Sequence, residues 1–259
     1  MILYQEYSPR PALSAFVECL WTCSVGKDMP ACSHKVLPDN GIDILWQDCN
    51  PGGFAVGMMT SSSVVTMESP LRTIAVRFKP GCAAYFFLAP LSELTDERAD
   101  IGNLWDRGLD RQIADALWAR PITIREQLDV IEHHLLQRLA ISGKPQARGL
   151  VAHAVAQIES AGGLLKIESL ADAVGVSRQH LATQFRARVG IPAKTFARIC
   201  RFRRTMEDIR ATHAPARKID WAQLALDRGY FDQPHLIHEF RAFSGSSPDA
   251  FAAELSIRT

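Results

Sequence analysis

The first half of the chain carries cysteine and histidine side chains that could hold a metal ion or react as thiols. Cys19 and Cys23 lie on the same face of a predicted strand. Cys32, His34 and Cys49 follow close behind in sequence. Thiolates bind soft metal ions and are reversibly oxidised, so a thiol or soft-metal sensor is one hypothesis. Cysteine is also among the most buried residue types, and alternation on one face is typical of a core strand, so packing is the favoured interpretation.

Recognisable catalytic motifs are missing from the sequence. The six cysteines show no paired spacing of a zinc ribbon or disulfide framework, so we expect free thiols. His133 and His134 are adjacent, whereas a metal-binding pair on one helix face needs a turn between its members. There is no phosphate-binding loop, dinucleotide fingerprint or nucleophile elbow. The sequence therefore favours a protein without catalytic activity, cofactor or metal, and an enzyme with scattered catalytic residues is kept as an alternative.

The second half of the chain repeats itself. Two of its segments are similar, although the second is one residue longer in its turn. They are Gly175-Val-Ser-Arg-Gln-His-Leu-Ala-Thr-Gln-Phe-Arg186 and Gly229-Tyr-Phe-Asp-Gln-Pro-His-Leu-Ile-His-Glu-Phe-Arg241. In both segments a leucine and a phenylalanine are four residues apart, so they share one face of a helix. The opposite face stays polar and open to solvent or to a groove.

Each copy predicts two short helices joined by a turn. The first helix ends at a glycine, which can adopt the left-handed conformation that closes a helix. Ser177 or Asp232 then precedes the second helix and can accept a hydrogen bond from its first turn. Such pairs, predicted at about 167–188 and 221–243, are typical of helix-turn-helix units, whose second helix enters the major groove of DNA.

Basic residues are concentrated in this half. Residues 1–149 carry 14 Lys and Arg against 17 Asp and Glu, whereas 150–259 carry 15 against 11. Between positions 178 and 218, 11 basic residues face only Glu207 and Asp208. Neutralisation of phosphates is the usual source of affinity for DNA, although charge alone would also suit an exposed helix face.

A long helix is predicted between the two units, over residues 192–211. It begins with Pro192, a residue that suits the first turn of a helix. About 18 residues of helix span roughly 27 Å, near the roughly 34 Å between successive major grooves on one side of DNA. Two recognition helices held at this separation would reach adjacent grooves of one duplex.

Together these features resemble the DNA-binding domain of the AraC/XylS family of bacterial regulators. The matching residues are Leu-Ala-x-x-Val-Gly-x-Ser in the first unit, Leu-Ala-x-x-x-Gly-Tyr and Asp-Gln-x-His-Leu-x-x-x-Phe-Arg in the second, and the closing Gly245-Ser-Ser-Pro248 with Phe251. The resemblance implies a sequence-specific transcription regulator that binds double-stranded DNA, with RNA polymerase as a further partner. An architectural protein that binds all DNA alike is the rival interpretation.

The resemblance places base contacts on the exposed face of the second helix in each unit. In the first unit the positions are Arg178, Gln179, Ala182 and Thr183. Gln179 can form two hydrogen bonds with an adenine edge, and Thr183 can bond a base or touch a thymine methyl group.

In the second unit the matching positions are Gln233, Pro234 and His238. His238 stands where an arginine is frequent in the family, and Pro234 has no backbone N–H to donate. We therefore expect the second unit to act mainly by positioning the protein on DNA. His180 and His235 sit beside the inward leucines, and we expect both to cap or pack inside their units.

Five arginines are candidates for phosphate contact, which sets affinity and register without reading sequence. The alternative for each is a solvated or intramolecular ion-paired side chain. The candidates are Arg186, Arg188, Arg198, Arg201 and Arg241.

The sequence predicts an α+β protein with two domains. The first, 1–140, would be a small β-barrel or sandwich over 1–80 with a helical extension over 81–140; a linker over 141–149 and the all-helical domain over 150–259 would follow. Strands are predicted at 17–25, 42–46, 54–58, 64–67 and 73–78, and helices at 83–88, 109–119 and 122–139. Two segments resemble the barrel-like amino-terminal domain of one branch of the family. They are His34-Lys-Val-Leu-Pro-Asp-Asn-Gly41 and Val76-Arg-Phe-Lys-Pro-Gly81.

Such a first domain is expected to bind a small-molecule effector or to form a homodimer. Five residues are candidates for a ligand pocket: Trp21, His34, Asp43, Trp46 and Arg77. The amino-terminal residues lack the features of a signal peptide and no long apolar run occurs, so we expect a cytoplasmic protein without a membrane segment.

Overall fold

A computed structural model describes residues 1–50, 52–87, 89–141, 149–212 and 219–257. The strands are β1 (Ile2–Tyr7), β2 (Val17–Val25), β3 (Cys32–Val36), β4 (Ile42–Gln47), β5 (Phe54–Val56), β6 (Ser63–Met67), β7 (Leu71–Phe78) and β8 (Arg98–Asp100). Six of them form a sheet in the order β1-β2-β7-β4-β5-β8, with every neighbouring pair antiparallel. The other two, β3 and β6, pair with each other in a separate antiparallel sheet.

The two faces of the six-stranded sheet differ in character. Leu20, Ile44, Ile74 and Val76 share one face and are fully buried. The opposite face carries, side by side on adjacent strands, Cys19, Arg77 and Asp43. A register shift between Val17 and Cys19 places Val17 opposite Phe78 and removes it from the alternation predicted for 17–25, because a bulge adds one residue to one strand.

The α+β fold class is confirmed, with a β-sheet domain that precedes the helical domain. In the part of the chain that the structure describes, the edge strands β1 and β8 do not pair with each other, so backbone hydrogen bonds do not close the sheet into a barrel. Three strands were not predicted, namely β1, β3 and β8. β8 lies in the region expected to be helical, because it adds to the exposed edge of β5.

Three helices follow in the first domain: α1 (Ile101–Leu104), α2 (Arg107–Trp118) and α3 (Ile124–Ile141). Helix α1 packs against β5 and β8, and α2 packs against α1 and α3. Helices α2 and α3 match the predicted helices at 109–119 and 122–139. The helix predicted over 83–88 is wrong: one short 3-10 turn, Ala83–Tyr85, occurs there, and Leu88 lies outside the described residues. Phe86 and Phe87 of this segment are buried against Phe78, so packing rather than helical hydrogen bonding holds it.

The second part of the chain is all helical. Its helices are α4 (Leu150–Ser160), α5 (Ile167–Ala173), α6 (Arg178–Val189), α7 (Ala193–Thr212), α8 (Trp221–Asp227), α9 (Gln233–Ser244) and α10 (Pro248–Ile257). None of the helices in the described ranges is long and apolar enough to cross a membrane.

One hydrophobic core extends from the sheet domain into the helical domain. The same cluster of contacting buried residues includes Ile44 and Leu91 of the first part and Val155, Phe185 and Phe202 of the second. The two domains therefore meet over an apolar contact. Residues 142–148, most of the predicted linker, lie outside the described residues.

Candidate DNA-binding surface

The first helix-turn-helix unit consists of α5, a turn at Gly175 and α6. Gly175 has a φ of +68°, the left-handed conformation expected where a helix closes. The Ser177 hydroxyl accepts a hydrogen bond from the backbone N–H of His180 at 3.1 Å and caps α6. Leu181 and Phe185 are fully buried, as the four-residue spacing predicts. The opposite face of α6 is left to solvent.

The second unit, formed by α8, a turn at Gly229 and α9, repeats this geometry. Gly229 has a φ of +70°, and the Asp232 carboxylate accepts a hydrogen bond from the His235 backbone N–H at 2.8 Å. Leu236 and Phe240 are fully buried. Both predicted units are thus present, with their caps and turns at the expected residues.

Helix α7 joins the two units through aromatic contacts at different points along its length. Near its start, Phe196 packs edge-on against Phe185 of α6, with ring centroids 5.6 Å apart. Further along, Phe202 packs against Phe240 at 5.0 Å and against Phe243 at 5.3 Å, both on α9. Its 20 residues span about 30 Å. A single rigid helix therefore fixes the spacing of the two recognition helices.

The predicted base-contact positions lie on open surface. Arg178, Gln179, Ala182 and Thr183 are all exposed on α6, as are Pro234 and His238 on α9. Gln233 is half-buried at the first position of α9. Gln179 and Thr183 make no side-chain hydrogen bond within the described residues, which leaves their polar atoms available to another molecule.

The predicted phosphate contacts fall into two groups. Arg186, Arg188 and Arg241 are exposed and have no ion pair within the described chain. Arg198 and Arg201, by contrast, both reach the Glu239 carboxylate on the inward face of α9, with N–O distances of 2.6 Å and 3.4 Å. Their guanidinium groups also lie over aromatic rings of the second unit. The structure thus gives this second group intramolecular partners and a role in attaching α7 to α9.

Sequence reasoning missed Glu239, whose side chain is 8% exposed. A signal was present, since a glutamate three residues after Leu236 and one before Phe240 falls on the apolar side of the helix. A buried carboxylate needs charged partners, and Arg198 and Arg201 are spaced one turn apart on α7.

The two recognition-helix histidines behave differently, although both were expected to cap or pack. His235 does so: its Nδ1 accepts a hydrogen bond from the Phe231 backbone N–H at 3.1 Å, and its ring packs edge-on against Tyr230. His180 is exposed, so the expectation for it is wrong. The reason is the turn, because the first unit lacks the additional residue whose N–H His235 satisfies.

The first domain contacts the carboxyl-terminal ends of both recognition helices. The Thr95 hydroxyl donates to the Gly190 carbonyl, which follows α6, at 2.7 Å. A Cβ added to Gly245, which follows α9, would lie 3.4 Å from Ser62 Oγ and 3.7 Å from Lys35 Nζ.

Between these two points, Asn40 is inserted against α7. It is 1% exposed, and its side-chain amide donates to the Phe196 carbonyl at 3.4 Å and to Cys200 Sγ at 3.2 Å. In the sequence, Asn40 is part of the segment 34–41 that resembles the family's amino-terminal domain, and nothing there indicates this contact.

Of the five predicted pocket residues, the structure brings three together. Arg77 forms a two-pronged ion pair with Asp43 at 3.0 and 2.9 Å, and Trp21 lies on the same sheet face. Trp46 is on the other face, fully buried in the core beside Trp105, and His34 is exposed on β3. Burial raises the pKa of Asp43, and the adjacent Arg77 opposes that rise.

The cysteines give a sensor little support. Burial raises the pKa of the Cys19 and Cys200 thiols to about 12 and that of Cys82 to about 11, which lowers the thiolate fraction that would bind a metal or react. Burial, with Cys32 nearby, also raises the pKa of Cys23. Among the residues the structure describes, no group of three or more His, Cys, Asp or Glu side chains is placed to hold a metal ion.

Comparisons with known proteins agree with the geometry of the second domain. Residues 170–254 match the family described as Helix-turn-helix domain, HTH_18. Residues 5–100 match a domain of unknown function, DUF6597. No match was found among proteins of curated function.

Two crystal structures of the Vibrio cholerae protein ToxT are similar to this chain over most of its length. The first, from strain O395, has 9% identity and a TM-score of 0.45, covering 99% of this chain and 98% of ToxT. The second, from strain SCE256 with an unsaturated fatty acid bound, has 9% identity and a TM-score of 0.43, covering 97% and 94%.

The second domain is therefore a double helix-turn-helix DNA-binding module. Three observations define it: two capped units joined by one long helix, an open polar face on each unit, and the family match. The family match covers residues 170–254 and agrees with the resemblance of these residues to the AraC/XylS DNA-binding domain.

Proposed function

We propose that the chain recognises a specific DNA sequence and that α6 supplies most of the base reading. The supporting observation is that Gln179 and Thr183 lie exposed and without partners, a turn apart on a helix whose other face is buried. Arg178 and Ala182 complete this face. A glutamine pairs well with adenine, and Ala182 suits contact with a thymine methyl group.

In the second unit, Gln233, Pro234 and His238 occupy the corresponding face of α9. Pro234 stands in the first turn, where helices commonly contact DNA with backbone N–H groups, and it has none to offer. His238 supplies a polar ring in place of a long cationic side chain. The second unit therefore acts mainly as a positioning element.

Phosphate contact is assigned to the exposed arginines Arg186, Arg188 and Arg241. Each is free to bind a phosphate oxygen without first breaking an ion pair. Arg198 and Arg201 would have to leave Glu239 to do the same, which would deprive that buried carboxylate of both its arginine partners.

The first domain is proposed to control DNA binding, by an effector or by forming a homodimer. Support comes from the contacts of this domain with Gly190 and α7 and from its position beside Gly245, which connect it with both helix-turn-helix units. The Trp21 indole N–H is buried with no hydrogen-bond acceptor among the described residues, on the same sheet face as the Asp43 and Arg77 pair. A polar effector on this sheet face would satisfy it.

A transcription regulator works where it meets the chromosome and RNA polymerase, so we place the chain in the cytoplasm with RNA polymerase as a further partner.

Selection of bound sequences from a random DNA pool, using the full chain, tests the central proposal. We expect two conserved half-motifs about 10 base pairs apart, with the more sharply defined one under α6. Equal affinity for selected and bulk DNA in competition would instead identify an architectural protein.

A further inference from the structure

A groove lies on the far edge of the first domain, between the β5 and β8 edge of the sheet and the start of α2. Its volume is about 440 Å³, within the range of sites that hold small molecules. Arg98, Arg107 and Arg111 project from its walls, and Asp110 stands at its floor beside Gly53. Trp21, Asp43 and Arg77 lie on the inner strands of the sheet and are not among the residues that line the groove, so it is separate from the effector position proposed above.

The floor of the groove is rigidly built. The Asp110 carboxylate, 7% exposed as a residue, accepts a hydrogen bond from the Gly53 backbone N–H at 2.9 Å. A Cβ at Gly52 would stand 2.3 Å from Asp110 Oδ2, and one at Gly53 would stand 2.4 Å from the Trp46 indole nitrogen. Both positions therefore require glycine, and the close packing fixes the floor before any ligand binds.

The three arginines lack carboxylate partners within the described residues. Elsewhere in this domain Arg10, Arg72, Arg77 and Arg125 are each paired with at least one Asp or Glu.

In the groove, Arg107 has only the Asn103 side-chain oxygen at 3.3 Å, and Arg98 lies over the Phe54 ring, 3.2 Å from its centroid. Arg111, one turn after Arg107 on α2, has no hydrogen bond or ion pair in the described structure. Three guanidinium groups without carboxylate partners thus meet at one concavity, whereas the four arginines named above are paired.

We propose that this groove binds a small hydroxylated oxyanion, a phosphate ester or a carboxylate. Guanidinium groups bind both anions through two parallel hydrogen bonds. Asn50 and Asn103 add amide groups and Asp100 adds a carboxylate at the rim, which suit hydroxyl groups beside the anion. Asp110 is already engaged with the floor and serves to shape it.

Isothermal titration calorimetry on the full chain without DNA tests the proposal, so its outcome is independent of DNA recognition. The probes are glucose 6-phosphate, gluconate and, as the uncharged control, glucose. We expect one or both anions to bind and glucose to bind at least about tenfold more weakly. Binding of the phosphate ester alone, or of the carboxylate alone, identifies which anion the groove takes.

The matched variants are R107Q with R111Q in the groove, and R120Q, an exposed arginine of the same domain beyond the end of α2. The double variant should lose about 100-fold in affinity or more, and R120Q should bind like the unmodified chain. Circular dichroism melting curves establish that each variant is folded. No binding of either anion at about 10 mM, or equal affinity in a folded double variant, would overturn the inference.

Discussion

The two helix-turn-helix units share a plan and differ in how tightly their recognition helices are attached. Helix α6 presents polar side chains that no other part of the described structure engages. Helix α9 is attached at Glu239 by two arginines from α7, and His235 engages its own turn. A helix whose charged groups are engaged within the protein has fewer of them available to DNA. The comparison therefore indicates that the first unit reads the DNA sequence and the second mainly positions the protein.

The additional turn residue of the second unit contributes to this difference. Phe231 is 85% exposed, and its backbone N–H is satisfied by the His235 ring. In the first unit the corresponding histidine, His180, remains in solvent. One inserted residue thus converts a surface histidine into a structural one.

The largest expected effect tests the attachment of α9 through its aromatic contacts. Phe202→Ala removes a fully buried ring packed between Phe240 and Phe243, and should lower the free energy of unfolding by about 3–5 kcal/mol. Denaturant unfolding measures this change. Phe231→Ala, in the same unit but exposed, is the control and should change stability by less than about 0.5 kcal/mol. Equal effects of the two variants would contradict the packing described here.

The next effect tests the ionic attachment. Glu239→Ala leaves Arg198 and Arg201 partly buried without their carboxylate, and should cost about 2–4 kcal/mol of unfolding free energy. Glu239→Gln, which keeps a hydrogen-bond acceptor, should lose less. Glu207→Ala, on the exposed side of α7, serves as the control in the same unfolding experiment. Stability unchanged in Glu239→Ala would show that the arginines are not held there.

The third effect separates reading from positioning. Gln179→Ala should cost about 1–3 kcal/mol on the selected sequence and much less on sequences altered at one base pair, because it removes a contact to that base. Gln233→Ala should change preference little. Binding titrations against single-base variants of the selected site provide the measurement. If Gln233→Ala relaxed sequence preference more than Gln179→Ala, the roles of the two units would be reversed.

The smallest effect concerns phosphates. Arg188→Ala should weaken binding to all sequences alike and reduce the slope of log affinity against log salt by about 1. Arg201→Ala, in which the lost group is an internal partner of Glu239, should leave that slope nearly unchanged in the folded protein. Titrations at several salt concentrations compare the two variants. A reduced slope for Arg201→Ala would restore it as a phosphate contact.

Local patterns made the second domain predictable. The Leu181 and Phe185 spacing, the glycines and the caps Ser177 and Asp232 each act within a few residues of sequence, so both units could be located closely. The first domain was harder, because strands such as β8 exist through pairing with a distant partner. The helix expected at 83–88 failed for a similar reason, since Phe86 and Phe87 are buried by the sheet.

Long-range contacts were the part of the site that the sequence could not supply. Asn40 contacts residues more than 150 positions away, and Arg198 meets Glu239 across 41. An arginine looks the same in a sequence whether it faces a phosphate or a carboxylate of its own chain. Only the placement of α9 against α7 separates Arg198 and Arg201 from Arg186 and Arg188.

The glycines that terminate the recognition helices have a consequence for how control would be exerted. Gly190 and Gly245 both lie beside residues of the first domain, so a small rotation of that domain would tilt α6 and α9 together. Binding of an effector or a second copy to the first domain would then change the angle between the recognition helices and the DNA axis. Operators with one base pair inserted between the half-sites would respond to that change more strongly than operators with a substituted base.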